Sequence, residues 1–215
     1  MGLPKLSLRR LLSGPPEEAA RGLLGCTVSA GGVTVRITEV EAYAGTRDAA
    51  SHAFRGRTPR NAVMFGPAGF AYVYFTYGMH WCMNVVCGPD GEASAVLLRA
   101  GEVVRGLATA RDRRPAARRD ADLARGPARL CAALGVTGEH NGVDLLAVGS
   151  AVRLRRVRTT ARPQSVGAQP EGAHPVAEIL AGPRVGVTGA HDVPWRFWYA
   201  DDPTVSTYRR HVPKA

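Results

Sequence analysis

Glu39 and Glu41 stand near the end of an alternating stretch, Val33-Thr34-Val35-Arg36-Ile37-Thr38-Glu39-Val40-Glu41-Ala42-Tyr43. In an extended chain every second side chain shares a face, so Glu39, Glu41 and Tyr43 continue the face that Val33, Val35 and Ile37 begin. A carboxylate on a face otherwise given to the core is partly stripped of water. Desolvation of that kind can tune a carboxyl group for acid–base chemistry. The competing explanation is that the strand emerges into solvent there, or twists at a bulge.

A second cluster is aromatic: Tyr72-Val73-Tyr74-Phe75-Thr76-Tyr77-Gly78-Met79-His80-Trp81. Tyr72 and Tyr74 share a face, and Tyr77 precedes a glycine suited to a tight turn. Such stripes usually fill a core, but tyrosines also stack on nucleobases, and an apolar wedge at a turn can fill a gap in a duplex. A third is the loop Arg55-Gly56-Arg57-Thr58-Pro59-Arg60-Asn61, which offers cations, a hydroxyl and backbone N–H groups. Phosphate is its natural ligand, and a solvated loop is the plain alternative.

The elements that must hold these groups follow from local pattern. Ser13-Gly14-Pro15-Pro16-Glu17-Glu18 reads as a helix start and Gly25 as its stop. The alternating stretch at 32–43 reads as a half-buried strand. Residues 44–69 read as a long irregular loop, a length that usually signals function. Residues 71–77 and 82–87 read as strands, followed by a turn at 87–92 and a returning strand at 93–99. Residues 105–129 hold eight arginines and read as a helix, a basic loop and a second helix that starts at Gly126-Pro127 and stops at Gly135. A basic strand is expected within 151–163, a loop at 163–175, a short extended piece at 183–187 and a last strand within 195–208. Short strands close in sequence predict a mostly antiparallel sheet, and no linker divides the 215 residues, so one domain over 1–215 is expected.

Composition narrows the classes. Apolar residues make up 45% of the chain, enough for a core and too many for a disordered chain. No apolar run approaches the length of a membrane span, and the N-terminal stretch lacks the apolar segment of a secretory signal. Cys26, Cys82, Cys87 and Cys131 form no C-x-x-C pair and no zinc-finger spacing, so buried free thiols in a reducing cytoplasm are expected. The formal charge of +10 points to a polyanion such as nucleic acid, or to arginine-rich codon usage, since only Lys5 and Lys214 are lysines.

Read in order, several segments resemble the alkyladenine (3-methyladenine) DNA glycosylase family. They are Glu39–Tyr43, Asp48–His52, Thr58–Asn61, Tyr72–Met79, Cys82–Asn84, Val96–Ala100, Gly126–Cys131 and Pro183–Val187, and the likeness runs from about residue 9 to 210. The resemblance implies an α+β fold: a single mixed domain with a curved, mostly antiparallel sheet flanked by helices. It implies excision of alkylated or deaminated purines from double-stranded DNA by base flipping and hydrolysis of the N-glycosidic bond, leaving an abasic site. Glu41 matches the general base that activates water; Arg99 and the backbone carbonyl of Val185 match groups that help hold that water. Tyr43, His52 and Tyr74 match the pocket walls, Asn84 a residue that crowds guanine's amino group, and Tyr77 the side chain that fills the vacated stack. Met79, Arg57, Thr58 and Arg60 are the further DNA contacts expected. No metal and no cofactor are implied, nor a membrane partner, and a monomer is expected. The chain departs from some relatives at His80-Trp81 and in a longer turn at 88–92. The rival to a hydrolase is a non-catalytic protein that flips and shields lesions.

Overall fold

A computed structural model describes residues 7–76, 78–157 and 178–210. Among these described residues, eight strands form a single antiparallel sheet: β1 (Thr27–Ala30), β2 (Val33–Tyr43), β3 (Ala71–Thr76), β4 (His80–Val86), β5 (Ala95–Arg105), β6 (Val152–Arg155), β7 (Ile179–Gly182) and β8 (Arg196–Tyr199). Four α-helices accompany it: α1 (Leu8–Leu12), α2 (Pro16–Leu23), α3 (Leu107–Arg113) and α4 (Pro127–Leu134). The order β3-β4-β5-β2-β1-β6 places β2 and β5 at the centre, with β7 and β8 branching from β2.

The helices form where local chemistry favours them. Pro16 opens α2 with its fixed φ, and Glu17 and Glu18 meet the positive end of the helix dipole. Ala19, Ala20 and Leu23 then turn inward. In α4, Pro127 opens the helix and Gly135 closes it with a φ of +71° that a residue with a Cβ would resist. Leu130, Cys131, Ala133 and Leu134 of α4 join Val33, Val35, Val96 and Leu98 of the sheet in one buried core. Each fully buried leucine there contributes about 1.5–3 kcal/mol. α1 was not expected from the sequence: Ser7 caps it, accepting a bond from the Arg10 N–H.

The strand that carries the two glutamates does not keep one parity. Val33, Val35 and Ile37 face the helix-side core, but after them Val40 and Ala42 do. The register against β5 slips between Ile37 and Glu39 and again between Glu39 and Val40, so Thr38 is an extra residue on β2 and Arg99 on β5. The bulge flips the alternation, and Glu39, Glu41 and Tyr43 lie on the face opposite Val33, Val35 and Ile37. Their assignment to a common face is therefore corrected. The bulge also marks a change of partner: β1 pairs with Val33–Arg36, whereas β8 pairs with Glu39–Glu41.

Other expectations needed smaller corrections. Residues 183–187 are a bend, not an extended piece, with Gly186 at a φ of +69°; the strand is β7, just before them. The last strand covers only Arg196–Tyr199. The expected loop at 163–175 and residues 158–163 of the expected basic strand lie outside the described residues, and β6 supplies the strand at Val152–Arg155. All four cysteines are buried and unpaired in disulfides. No helix among the described residues is long and apolar enough to cross a membrane.

Candidate active site

The bulge aims one row of side chains across the second face of the sheet. Tyr72 opposes Asn84, Asn84 opposes Leu97, Leu97 opposes Glu41, and Glu41 opposes Arg196. In the next row Tyr74 opposes Cys82. Over these rows stand the 44–69 loop, which contributes Ala50, His52 and Met64, and the 185–188 bend. Together they enclose a pocket of about 410 Å³, within the range of small-molecule sites. Glu41, Tyr43, His52, Tyr74, Asn84, Arg99 and Val185, seven of the residues singled out from the sequence, all line it.

Glu41 is fully buried at the pocket floor. Its Oε1 accepts the Val185 N–H at 2.7 Å and lies 3.2 Å from Arg99 Nη1. Its Oε2 accepts the Tyr43 hydroxyl at 2.8 Å. A carboxylate offers about four acceptor positions, so its three partners among the described residues leave one lone pair, on the oxygen that Tyr43 touches. The expected Val185 contact was a carbonyl toward water; the contact present is its N–H toward the carboxylate.

Arg99 does not contact Glu41 alone. Its Nε donates to Glu39 Oε1 at 2.8 Å and its Nη2 to the Ser206 hydroxyl at 3.3 Å. Glu39 also accepts Arg196 Nε at 2.7 Å, the Ser206 N–H at 2.7 Å and the Ser206 hydroxyl at 2.8 Å. Burial by itself would push the Glu39 carboxyl up, but Arg99, Arg196 and Ser206 outweigh it and hold the group below its ordinary range.

The walls are neutral. Tyr74 stacks on Tyr72 with ring centroids 5.3 Å apart, and His52 packs edge-on to Tyr74 at 4.5 Å. Burial drives the Tyr43 and Tyr74 phenols well above their ordinary range, with Glu41 adding to the effect at Tyr43. His52 stands open to the pocket mouth, yet loss of water around its ring and then the nearby Arg60 charge draw its pKa down, so the imidazole is neutral at pH 7. Its Nδ1 is 3.1 Å from the Tyr72 hydroxyl. Asn84 is buried and gives its amide to the Tyr72 carbonyl at 3.3 Å. Uncharged aromatic faces, one amide and a carboxylate at the floor suit a flat, electron-poor or cationic ring.

The DNA-facing candidates are less closely grouped. Met79 is 66% exposed at the tip of the β3–β4 hairpin, where Gly78 takes a φ of +66°. Tyr77 lies outside the described residues. In the 55–61 loop, Asn61 is the organiser. Its Oδ1 accepts the Thr58 N–H at 2.7 Å, and its amide donates to the carbonyls of His52 and Gly56. The Thr58 N–H is therefore committed within the loop. Arg60 bonds the Phe75 carbonyl at 3.1 Å, and Arg57 is exposed.

Two functional neighbours were not singled out. Arg184 and Asp48 form a bidentate ion pair with both side chains shut away from water. Arg184 also bonds the Ala42 carbonyl at 2.9 Å and sets its guanidinium 4.8 Å from the Tyr43 ring centroid. Asp48 accepts the N–H groups of Ala44 and Ala50. The pair ties β2, the 44–52 loop and the bend of Val185 into one frame. Both residues lie in the segments that carry the family resemblance, and a charge inside an apolar or small-residue run was the signal available.

Known proteins share this sequence throughout. The methylpurine-DNA glycosylase (MPG) family model matches residues 10–203. A protein of Nocardia farcinica is 52% identical over 210 residues, covering 95% of this chain and 92% of its own. One of Rhodococcus jostii is 50% identical over 213 residues, covering 95% and 86%. One of Streptomyces avermitilis is 48% identical over 211 residues, covering 96% and 93%. All three carry the provisional name of a 3-methyladenine DNA glycosylase.

Proposed function

Since the chain belongs to the methylpurine-DNA glycosylase family and is by that membership a DNA glycosylase, we propose that it excises alkylated or deaminated purines from double-stranded DNA as a monofunctional hydrolase. The observation that carries the reading is the buried Glu41, with one unfilled lone pair, on the floor of a neutral aromatic pocket.

A base inside a duplex cannot reach such a floor, so it must be flipped out. Tyr43, His52 and Tyr74 then hold it by stacking, and a cationic base gains from their ring faces. Asn84 narrows the slot on the side where guanine carries an amino group. The N-glycosidic bond breaks with oxocarbenium character at C1′. Glu41 stabilises that charge and takes a proton from the attacking water, which Arg99 and the Val185 carbonyl help to place. Tyr77 fills the vacated stack, with Met79 beside it, and Arg57, Thr58 and Arg60 contact phosphates through their side chains. The products are the free base and an abasic site. An amine-dependent lyase step is not part of the proposal, since neither Lys5 nor Lys214 belongs to a site motif. The protein works as a monomer in the cytoplasm.

Glu41→Gln tests the reading on methylated duplex DNA, with released bases measured by chromatography. Release should fall by about a hundred-fold or more while binding to lesion-bearing duplex is retained. Undiminished release removes Glu41 as the base. Lesion binding with no release by the unmodified chain would establish the shielding alternative.

A further inference from the structure

Four charged side chains meet beneath the pocket: Glu39 and Glu41 from β2, Arg99 from β5 and Arg196 from β8, none with more than 7% of its side chain exposed. Their formal charges cancel. The sharing is uneven, because Arg99 gives its Nε to Glu39 and reaches Glu41 only through Nη1 at 3.2 Å. Glu39 is in turn clasped by Arg196 and by both donors of Ser206 in the C-terminal segment. Glu39 lies outside the pocket lining, behind Arg99.

We propose that Glu39 is a positioning residue: by holding Arg99 through Nε it fixes where Nη1 stands against Glu41, and so governs the rate of base release and not the affinity for the lesion. This rests on Glu41 being the base. The groups facing Glu41 are Arg99 from β5, the Tyr43 hydroxyl from β2, the Val185 N–H from the bend, Tyr74 from β3 and Cys82 from β4. Those facing Glu39 are Arg99, Arg196 and Ser206. Apart from Glu41, Glu39 is the one anion in that set. With Glu39 neutral, Arg99 is left to Glu41 alone and Arg196 loses its carboxylate. A guanidinium drawn toward Glu41 leaves the place from which it helps to orient the attacking water, and such a misplacement slows the chemical step without weakening the grip on the base.

The experiment measures single-turnover base release and lesion binding side by side, on a duplex carrying one purine lesion that the unmodified chain excises. Glu39→Gln should lower the single-turnover rate about ten-fold or more. Lesion binding should stay within about two-fold, since base and DNA contacts are untouched. Because Glu39→Gln strands a buried arginine, the double variant Glu39→Gln/Arg196→Gln is measured beside it. Removing both charges leaves no stranded arginine at 196, yet the rate should stay about ten-fold low because Arg99 has lost its anionic anchor. An undiminished rate in a folded Glu39→Gln protein, or a loss of rate matched by an equal loss of lesion binding, overturns the proposal. So does full activity in the double variant, which would make Glu39 only a counter-ion for Arg196. If Glu41→Gln retains release, the parent reading has failed instead, and the two failures are told apart.

Discussion

Asp48→Asn replaces one oxygen by an NH₂ group and should be among the costliest conservative changes in the chain. Asp48 receives two guanidinium nitrogens of Arg184 as well as the N–H groups of Ala44 and Ala50. Asparagine keeps one acceptor but turns a donor toward an Arg184 donor. Arg184 is 1% exposed and its Nε already lacks a hydrogen-bond partner, so the Ala42 carbonyl would be its chief remaining acceptor. Breaking one side of a buried pair costs about 3–5 kcal/mol, because the other charge stays behind. For a chain of this length each kcal/mol shifts Tm by about 2–4 °C. The expected loss is then roughly 6–20 °C at pH 7, read by circular dichroism or calorimetry.

The same pair fixes the pH dependence. Burial pushes the Asp48 carboxyl up, but Arg184 and the N–H groups of Ala50 and Ala44 outweigh it and hold the pKa below the usual value. A carboxyl depressed in the folded state stabilises the protein above its unfolded pKa, about 3.9 for aspartate, and loses that contribution as pH falls through the folded value. The gap in Tm between the two proteins should therefore be steady from about pH 7 to 5 and close under stronger acid. A drop under about 3 °C at pH 7, or a gap that persists undiminished in strong acid, would refute the assignment of a coupled buried pair.

Two further outcomes follow from the site. Asn84→Ser removes the amide that narrows the pocket, so release of ordinary guanine from undamaged duplex should become detectable by chromatography while lesions continue to be excised; no rise in guanine release removes Asn84 as the excluding group. Arg57→Gln should lower the slope of log binding constant against log salt by about one, whereas Arg153→Gln/Arg155→Gln should leave it nearly unchanged. Arg153 and Arg155 lie on β6, hydrogen-bonded to β1 beside the opposite end of β2 from Glu41.

Glu41, Tyr43 and Tyr74 were legible because they sit on strands, where alternation assigns faces and the types stand out against Val and Ile. Simple alternation assigns Glu39, Glu41 and Tyr43 the wrong face, and the bulge weighed against it is what the strand contains. A bulge is a property of two strands in register, and nothing within 33–43 announces that Thr38 is the extra residue. The consequence is chemical. Had the parity held, both glutamates would point among the apolar helix-side core; flipped, they meet Arg99, Arg196 and Ser206. Asp48 and Arg184 were invisible as a pair for a different reason, being 136 residues apart with their meeting fixed by tertiary closure of the bend over the loop. Arg196 offered a fainter cue, a lone charge among Trp195, Phe197 and Trp198, which is how a buried arginine on a strand reads.

The surplus of positive charge takes on a different meaning once its members are located. Arg99, Arg184 and Arg196 are each buried against carboxylates and cannot meet a phosphate. The dense 105–129 run is largely spent at home: Arg111 pairs with Asp120, Arg119 and Arg125 with Asp122, and Arg113 and Arg114 bond backbone carbonyls. The 44–69 loop is different. Its one acid is Asp48, buried and held by Arg184, while Arg47, Arg55, Arg57 and Arg60 are all exposed on the segment that also supplies Ala50, His52 and Met64 to the pocket. Such an arrangement concentrates positive potential at the rim of a site whose walls are neutral, so a polyanion is drawn to the mouth without a cationic base being repelled from the interior. Neutrality of His52 is what keeps those two requirements compatible, and it is the same arginine-bearing loop, through Arg60, that helps to hold His52 neutral.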